Sequence, residues 1–561
     1  MTSPDSLAGL DTSVFWLSNQ AGGWVHLLPP LTKRRILCIT PYDAVEWMLA
    51  RECAHLTRVD NGLAVQEERE NTPNVERIGL TQLLDGEPPP DLQWDGLIVH
   101  DPEGEFVHRQ SRDDIARLLA WLGPRLGPQA FVYFGVANPW SVQRMIHGLH
   151  RRRGGRPALC GIGEIEWLMR TAGWTSGTRL PLLLDGSRIF QVLGETGYRS
   201  SKNREKRRER AKEWLLGRRG ATHLAPAYAL LSLGGACEKP VLDQLLARAG
   251  LLNAPDGAGP AVLKEYLILN GHKAVISMGP AGDDRHDVVA IMAGDSLATQ
   301  RRVGESATLA RLAELGGVFE GMFPRTLDRF DIGAAHCFLV TRIPGVTLDQ
   351  DTVALEAVTD AALDFLIRFH RRTASLVTLG PEALAKHAWP LVDAAKDRNA
   401  PIADDLERWK APLRRCLEGL TLPLVWMHGD YKVENVMYDP DTRQITGVID
   451  WEHAIFPGLP LLDALFLLVF NRIARGSHHV EAIDALFAGD QADELESARL
   501  TRYCSAMQIP PRAMRALNAL FLAHHIGHRI HTYTDDAGWE RIRRLVQRIG
   551  AKMEAEELAP T

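Results

Sequence analysis

The sequence predicts two folds in series: an α/β half on a doubly wound, mainly parallel sheet, then an α+β half in which a small β-rich lobe precedes a larger helical one. Three observations carry this. Short apolar runs alternate with helical stretches between residues 33 and about 180; between 262 and 345 apolar runs follow one another across turns around a single helix; beyond 350 the pattern is predominantly helical. At 561 residues the chain is also too long for one hydrophobic core.

The elements follow in order. In KRRILCITPYDAVEWMLARECAHLTRVDNG, from Lys33, an apolar run, a turn with Pro41, a helical stretch and a second apolar segment ending at Asp60 read as strand, helix, strand. WDGLIVHDPEG and AFVYFGVANP read as further strands, and IGEIEWLMRTAGW as an amphipathic helix. The basic stretch from Arg199 to Arg219, with Glu205, Glu209 and Glu213 at four-residue spacing, predicts an exposed helix with local ion pairs. Turn residues in LLNAPDGAGPAVL mark a boundary, so the expected division is 1–240, a linker over 241–261, a β-rich lobe over 262–345 and a helical lobe over 346–561. In that lobe KEYLILNGHKAVISMGP, HDVVAIMAG and HCFLVTRIPG are the strands and QRRVGESATLARLAEL the helix.

Composition excludes several classes. Hydrophobic residues make up 45% and charged residues 24%, which fits a globular chain; the net charge of −6 gives no general attraction to nucleic acid or anionic membrane. Seven cysteines stand singly, an odd total with no C-x-x-C pair, so neither a disulfide framework nor a zinc knuckle is expected, and a reducing cytoplasm is. The first residues lack a basic segment followed by an apolar one, and no run reaches the ~18 apolar residues of a membrane span. His524, His528 and His531 share helical spacing without a nearby carboxylate motif, so they are expected to pack rather than bind metal.

The chemistry concentrates in WMHGDYKVENVMYDPDTRQITGVIDWEHA, Trp426 to Ala454. His428, Asp430 and Asn435 stand on a loop between apolar runs, and QITGVIDWE is a strand ending at Asp450. A loop plus a β-hairpin folds Asp430 and Asp450 back into one site. Ionisable groups at the ends of apolar strands are costly to desolvate, and two carboxylates with an amide suit an oxygen-seeking divalent cation beside an attacking hydroxyl.

This stretch resembles the catalytic and metal-binding loops of the aminoglycoside phosphotransferase and choline kinase-like family, which has the bilobal protein-kinase-like fold. The H-G-D-x-x-x-x-N pattern is matched by His428, Gly429, Asp430 and Asn435, and the I-D-W-E strand by Ile449, Asp450, Trp451 and Glu452. The resemblance implies Asp430 as catalytic base, Asn435 and Asp450 as Mg2+ ligands, His428 as loop support and Asp463 as a group that fixes the loop. It further implies ATP as donor, an adenine contact at the backbone of Val340, Thr341 and Arg342, and a small-molecule or glycan hydroxyl as acceptor. Glu305 stands for the helix glutamate, yet HDVVAIMAG carries no lysine for it to pair with, leaving Arg301, Arg302 or Lys273 as substitutes. Two other readings stay open: a non-catalytic scaffold, and a bifunctional methyltransferase and kinase.

The first half, from RRILCITPYDAVEWML through WDGLIVHDPEG and LGPQAFVYFG, resembles class I S-adenosylmethionine methyltransferases, with Asp60 at the ribose-binding position. The glycine-rich turn that lets a cofactor approach the backbone is replaced by Ile39, Thr40, Pro41 and Tyr42, so S-adenosylmethionine is not expected to bind.

Overall fold

In a computed structural model the protein is described over residues 23–60, 74–80, 83, 93–103, 112–138, 141, 162–175, 177–185, 188–193, 225–252, 260–268, 274–281, 287–293, 296–348, 352–397, 400–487, 493–528 and 536–555. The basic stretch 199–219, Lys273 and His531 lie outside these residues. Two compact units divide the chain: Met1–Ser200, Lys206–Val303 and Arg325–Arg342 form the first, and Ser201–Glu205, Gly304–Pro324 and Ile343–Thr561 the second.

The first unit opens with strand β1 (Arg35–Ile39), helix α1 (Asp43–Glu52), β2 (His55–Asp60), β3 (Val75–Gly79), β4 (Trp94–Asp101), helix α2 (Arg112–Leu122), β5 (Leu126–Ala137) and helix α3 (Ile162–Thr171). Parallel pairing places them in the order β3-β2-β1-β4-β5. The sheet is doubly wound, as the alternation of apolar runs and helices requires. Its two faces carry separate cores: Leu37, Leu97, Val99, Val132 and Phe134 pack with α2 and α3, while Ile36, Cys38, Ile98 and Phe131 pack with α1.

The sheet does not stop there. Strands β6 (Thr178–Asp185), β7 (Arg188–Leu193) and β8 (Ala227–Leu233) add on antiparallel, and helix α4 (Val241–Leu252) follows. The next strands are β9 (Ala261–Ile268), β10 (Ala274–Pro280) and β11 (Val288–Ala293), then helix α5 (Ser296–Ala313), β12 (Thr326–Ile332) and β13 (Ala335–Thr341). Strand β9 pairs with β7, joining everything into one sheet of thirteen strands among the described residues. Five antiparallel strands with a helix between the third and fourth are the strand plan of a protein-kinase-like fold. Here they share a core with the doubly wound strands: Tyr133, Tyr266 and Met292 belong to one buried cluster.

The stretch expected as a linker over 241–261 differs accordingly, since Val241–Leu252 is a helix burying Val241, Leu242, Leu245 and Ala249. Its apolar spacing is helical, and only the Gly- and Pro-containing stretch after it reads as a boundary.

The second unit is mainly helical. Strand β14 (Val346–Thr347), helix α6 (Thr352–Thr373), β15 (Ser375–Thr378), α7 (Pro381–His387), α8 (Trp389–Asp397) and α9 (Ala403–Leu417) lead to β16 (Thr421–Met427), β17 (Val436–Tyr438), β18 (Ile445–Val448) and β19 (Ile455–Gly458). Helices α10 (Leu462–Ala474), α11 (His479–Phe487), α12 (Glu494–Ala506), α13 (Pro511–His528) and α14 (Asp536–Ala555) complete it. Helix α10 buries ten consecutive residues from Leu462 to Asn471, which makes it the central helix of this unit.

Candidate active site

The site grows from two short strands. Val436 of β17 pairs with Val448 of β18, and one step on the Ile449 N–H donates to the Asn435 carbonyl at 3.0 Å. That bond sets Asn435 beside the residue preceding Asp450, so the loop and the hairpin converge as their spacing predicts. Asp450 has φ +66°, a left-handed conformation that a non-glycine residue holds only under constraint from its surroundings.

The loop from His428 to Asn435 is held on every side. Asp463, in the first turn of α10 and fully buried, accepts the N–H of His428 through Oδ2 at 2.7 Å and that of Gly429 through Oδ1 at 2.9 Å. Burial alone would raise this carboxyl, but the contact with His370, the nearby His428 ring and the His428 N–H together hold it below its ordinary value. His370 Nε2 lies 3.4 Å from Asp463 Oδ2, and the Tyr503 hydroxyl lies 2.6 Å from His370 Nδ1. That hydroxyl also accepts the Leu461 N–H at 3.2 Å, tying α12 to the start of α10.

His428 spans the site. Its Nδ1 accepts the Asp430 N–H at 3.2 Å, so Nε2 carries the hydrogen and donates to the Ile449 carbonyl at 2.9 Å. The ring thereby joins the loop to the strand that ends in Asp450. Gly429 has φ +82°, and a Cβ there would stand 2.2 Å from the His453 carbonyl oxygen, so only glycine fits. Its own carbonyl accepts from His524 Nε2 at 2.9 Å, and burial pushes the His524 pKa down. His524 thus packs against the loop; His531 lies outside the described residues.

Asp430 is buried and its Oδ2 meets Lys432 Nζ at 2.7 Å. Asn435 Nδ2 donates to the Asp430 carbonyl at 2.9 Å and stands 3.4 Å from Oδ2. This turns Asn435 Oδ1 away from Asp430 and leaves it as an acceptor for a cation. Two carboxylates and an amide oxygen around one loop and one strand end suit a hard, oxygen-seeking ion such as Mg2+. Lys432 was missed in the sequence, although a basic residue two positions after Asp430 was there to be seen.

Glu305 lies on the same side of this chemistry in an unforeseen role. Its Oε1 accepts the Trp451 N–H at 2.9 Å, fixing the residue that follows Asp450. Behind it the Trp451 ring packs on His428 at 4.5 Å and is edged by Phe323 and Phe369.

Val340, Thr341 and Arg342 belong to the first unit. Thr341 N–H donates to the Arg325 carbonyl at 2.9 Å and Arg342 N–H to the Asp287 carbonyl at 3.2 Å. The Arg342 guanidinium pairs with Asp287 at 2.7 Å, and buried Lys264 takes the other Asp287 oxygen at 2.5 Å.

Comparison with known proteins places this geometry in context. An aminoglycoside phosphotransferase of Streptomyces rimosus solved with ADP and streptomycin aligns at 17% identity over 45% of this chain and 90% of that one, with a TM-score of 0.33. A macrolide 2'-phosphotransferase of Brachybacterium faecium aligns at 18% over 55% and 97%, TM-score 0.31, and a SAM-dependent methyltransferase of Archaeoglobus fulgidus at 15% over 36% and 87%, TM-score 0.26. Acyl-CoA dehydrogenase family member 11 of Rattus norvegicus is 33% identical over 92 residues, which span 15% of this chain but only 11% of that protein. The same protein of Mus musculus is 32% identical over an equally short stretch. Residues 284–501, the stretch that holds the loop, Asp450 and Asp463, match the model of the phosphotransferase enzyme family.

Proposed function

We propose that the carboxy-terminal half transfers the γ-phosphoryl group of ATP to a hydroxyl of a small molecule or glycan. The observation that carries this is the convergence of Asp430, Asn435 and Asp450 through the bond between Ile449 N–H and the Asn435 carbonyl, within the stretch that matches the phosphotransferase model. Asp430 accepts the hydroxyl proton through its carboxylate, which Lys432 Nζ meets at 2.7 Å. The acceptor oxygen forms its bond to phosphorus as the bond to the bridging oxygen breaks, leaving ADP. Asn435 Oδ1 and the Asp450 carboxylate hold Mg2+, which when bound offsets charge on the phosphates. The contact proposed for the base is the backbone of Val340, Thr341 and Arg342. We place the reaction in the cytoplasm, from the scattered free cysteines; among the described residues no helix is long and apolar enough to cross a membrane.

The test is ATP turnover against amino alcohols, aminoglycosides, macrolides and sugars, with Asp430→Asn as control. Undiminished turnover in the variant removes Asp430 from the role of base. Two observations favour a rival reading, a non-catalytic scaffold that binds no nucleotide: Glu305 holds a backbone N–H, and β11 carries no lysine. Thermal melts with saturating ATP and Mg2+ separate the two, since a ligand that binds only the folded state raises the apparent stability.

A further inference from the structure

Asp450, at φ +66°, stands between two peptide planes, and because each plane is rigid only the two rotations at its Cα decide where the side chain goes. Both planes are pinned. The preceding one carries the Ile449 carbonyl, which accepts from His428 Nε2 at 2.9 Å. The following one carries the Trp451 N–H, which donates to Glu305 Oε1 at 2.9 Å. His428 and Glu305 are themselves buried, 1% and 6% exposed, so φ and ψ of Asp450 are fixed together and its Cα–Cβ bond is left one direction. Released on either side, an aspartate relaxes toward the ordinary regions of backbone space and swings that bond away.

Glu305 reaches Trp451 from α5, and that helix and the segment after it hold the same stretch at two further points. The Met322 carbonyl accepts the Val448 N–H at 2.9 Å, and a Cβ on Gly447 would stand 2.4 Å from that oxygen, so this close approach requires glycine. Further along α5 the Arg311 guanidinium lies over the stacked rings of Trp426 and Phe456, 4.8 and 5.3 Å from their centroids. The chain is thus gripped before Asp450 by Met322 and after it by Glu305 and Arg311. Strand β11 carries no lysine, so the task of Glu305 differs from that of a helix glutamate paired with a strand lysine.

We propose that Glu305 is a positioning residue for Asp450: it acts as the hydrogen-bond acceptor of the Trp451 N–H, a task for an oxygen and not for a negative charge, so that α5 orients the carboxylate offered to Mg2+. This rests on the phosphotransferase reading above, under which Asp450 is a cation ligand. A residue that orients a metal ligand from behind is commonly worth about 10- to 100-fold in metal affinity. The amide oxygen of glutamine accepts the same N–H, whereas a methyl group accepts nothing, so the two replacements of Glu305 separate acceptor from charge.

Thermal melts of the full chain in saturating ATP, with Mg2+ titrated from zero, supply the test. Glu305→Gln reaches half of its Mg2+-dependent rise in melting temperature at the same Mg2+ concentration as the wild type, and Glu305→Ala needs about tenfold more or higher. A merely structural loss lowers the melting temperature without moving that concentration. Hydrogen exchange at the Trp451 amide, followed without nucleotide, quickens in Glu305→Ala and stays at the wild-type rate in Glu305→Gln. Equal displacement of the two variants overturns the proposal, because the charge is then what matters, and so does an Ala variant that matches the wild type in both readouts. A wild type that shows no rise with Mg2+ and ATP overturns the cation role of Asp450 together with the phosphotransferase reading, and is told apart from the first two outcomes by the wild type alone. Should Glu305→Ala fail to fold, Glu305→Gln decides: a retained Mg2+ response with slow exchange at Trp451 supports the acceptor role, and a lost response overturns it.

Discussion

The carboxylate of Asp463 receives two consecutive backbone N–H groups, from His428 at 2.7 Å and Gly429 at 2.9 Å, and so fixes the loop that carries Asp430 from inside the core. Replacing it by Asn turns one acceptor into an amide that faces an N–H. We expect Asp463→Asn to cost about 3 kcal/mol of stability, the worth of one or two hydrogen bonds to a buried charge. Denaturant unfolding measures this. Because the folded carboxyl lies below its ordinary 3.8, its contribution is fully present above that value and fades as pH falls through the depressed one; the Asn variant should lose that acid dependence.

Asp430→Asn should lower kcat by about a hundredfold to ten-thousandfold while nucleotide affinity changes little, because a general base acts in the transition state. Lys432→Ala removes a cation 2.7 Å from the proposed base, so its kcat should fall less than that of Asp430→Asn. Steady-state kinetics with ATP and an active acceptor give both numbers. A Lys432 variant as impaired as the Asp430 variant would move the proton-accepting role away from Asp430 acting by itself.

Much of this site is legible in the sequence because its chemistry lies within one stretch. The motif from His428 to Asp450 places the proposed base, an amide and a second carboxylate on a loop and hairpin, and local pattern suffices for that. What braces the motif arrives from far along the chain: His370 and Tyr503 lie on α6 and α12, and Glu305 on α5. No periodicity links such partners. The bond between β7 and β9 is likewise silent, since backbone pairing of two strands leaves no residue-specific mark. The stretch GGWVHLLPP, ahead of the first strand, lacks the repeat of helix or strand, yet it contains the ring of Trp24, which stacks on His100 and Tyr133 in the core.

His100 makes the first unit acid-sensitive. Its ordinary value is 6.5 and burial lowers it to about 3, so between these values the unfolded chain binds a proton that the folded chain does not. Stability therefore falls as pH drops through that window, by about 2 kcal/mol at pH 5. His524, also lowered by burial, acts in the same direction from the second unit. Thermal melts between pH 7.5 and pH 5 should show a steeper decline for the wild type than for His100→Phe, which keeps a ring against Trp24 but binds no proton. Parallel declines would mean that His100 is solvated in the folded protein.

Asp450 sets stability against function at one residue. With φ +66° its backbone occupies a region that costs most residues bearing a Cβ about 1 kcal/mol or more, aspartate and asparagine less, and glycine almost nothing. The strain persists because Glu305 holds the next N–H and the Ile449 N–H is bonded to Asn435. Asp450→Gly should therefore be as stable as the wild type or up to about 1 kcal/mol more stable, allowing for the freedom glycine gains in the unfolded chain. The same change removes a carboxylate proposed to hold Mg2+, so the rise in melting temperature that Mg2+ and ATP give the wild type should vanish. Asp450→Asn keeps a side chain that tolerates this conformation and one oxygen ligand, and it should retain part of that rise. A glycine variant clearly less stable than the wild type would show that the aspartate side chain supports the fold itself, and that the strained backbone is not maintained for the cation.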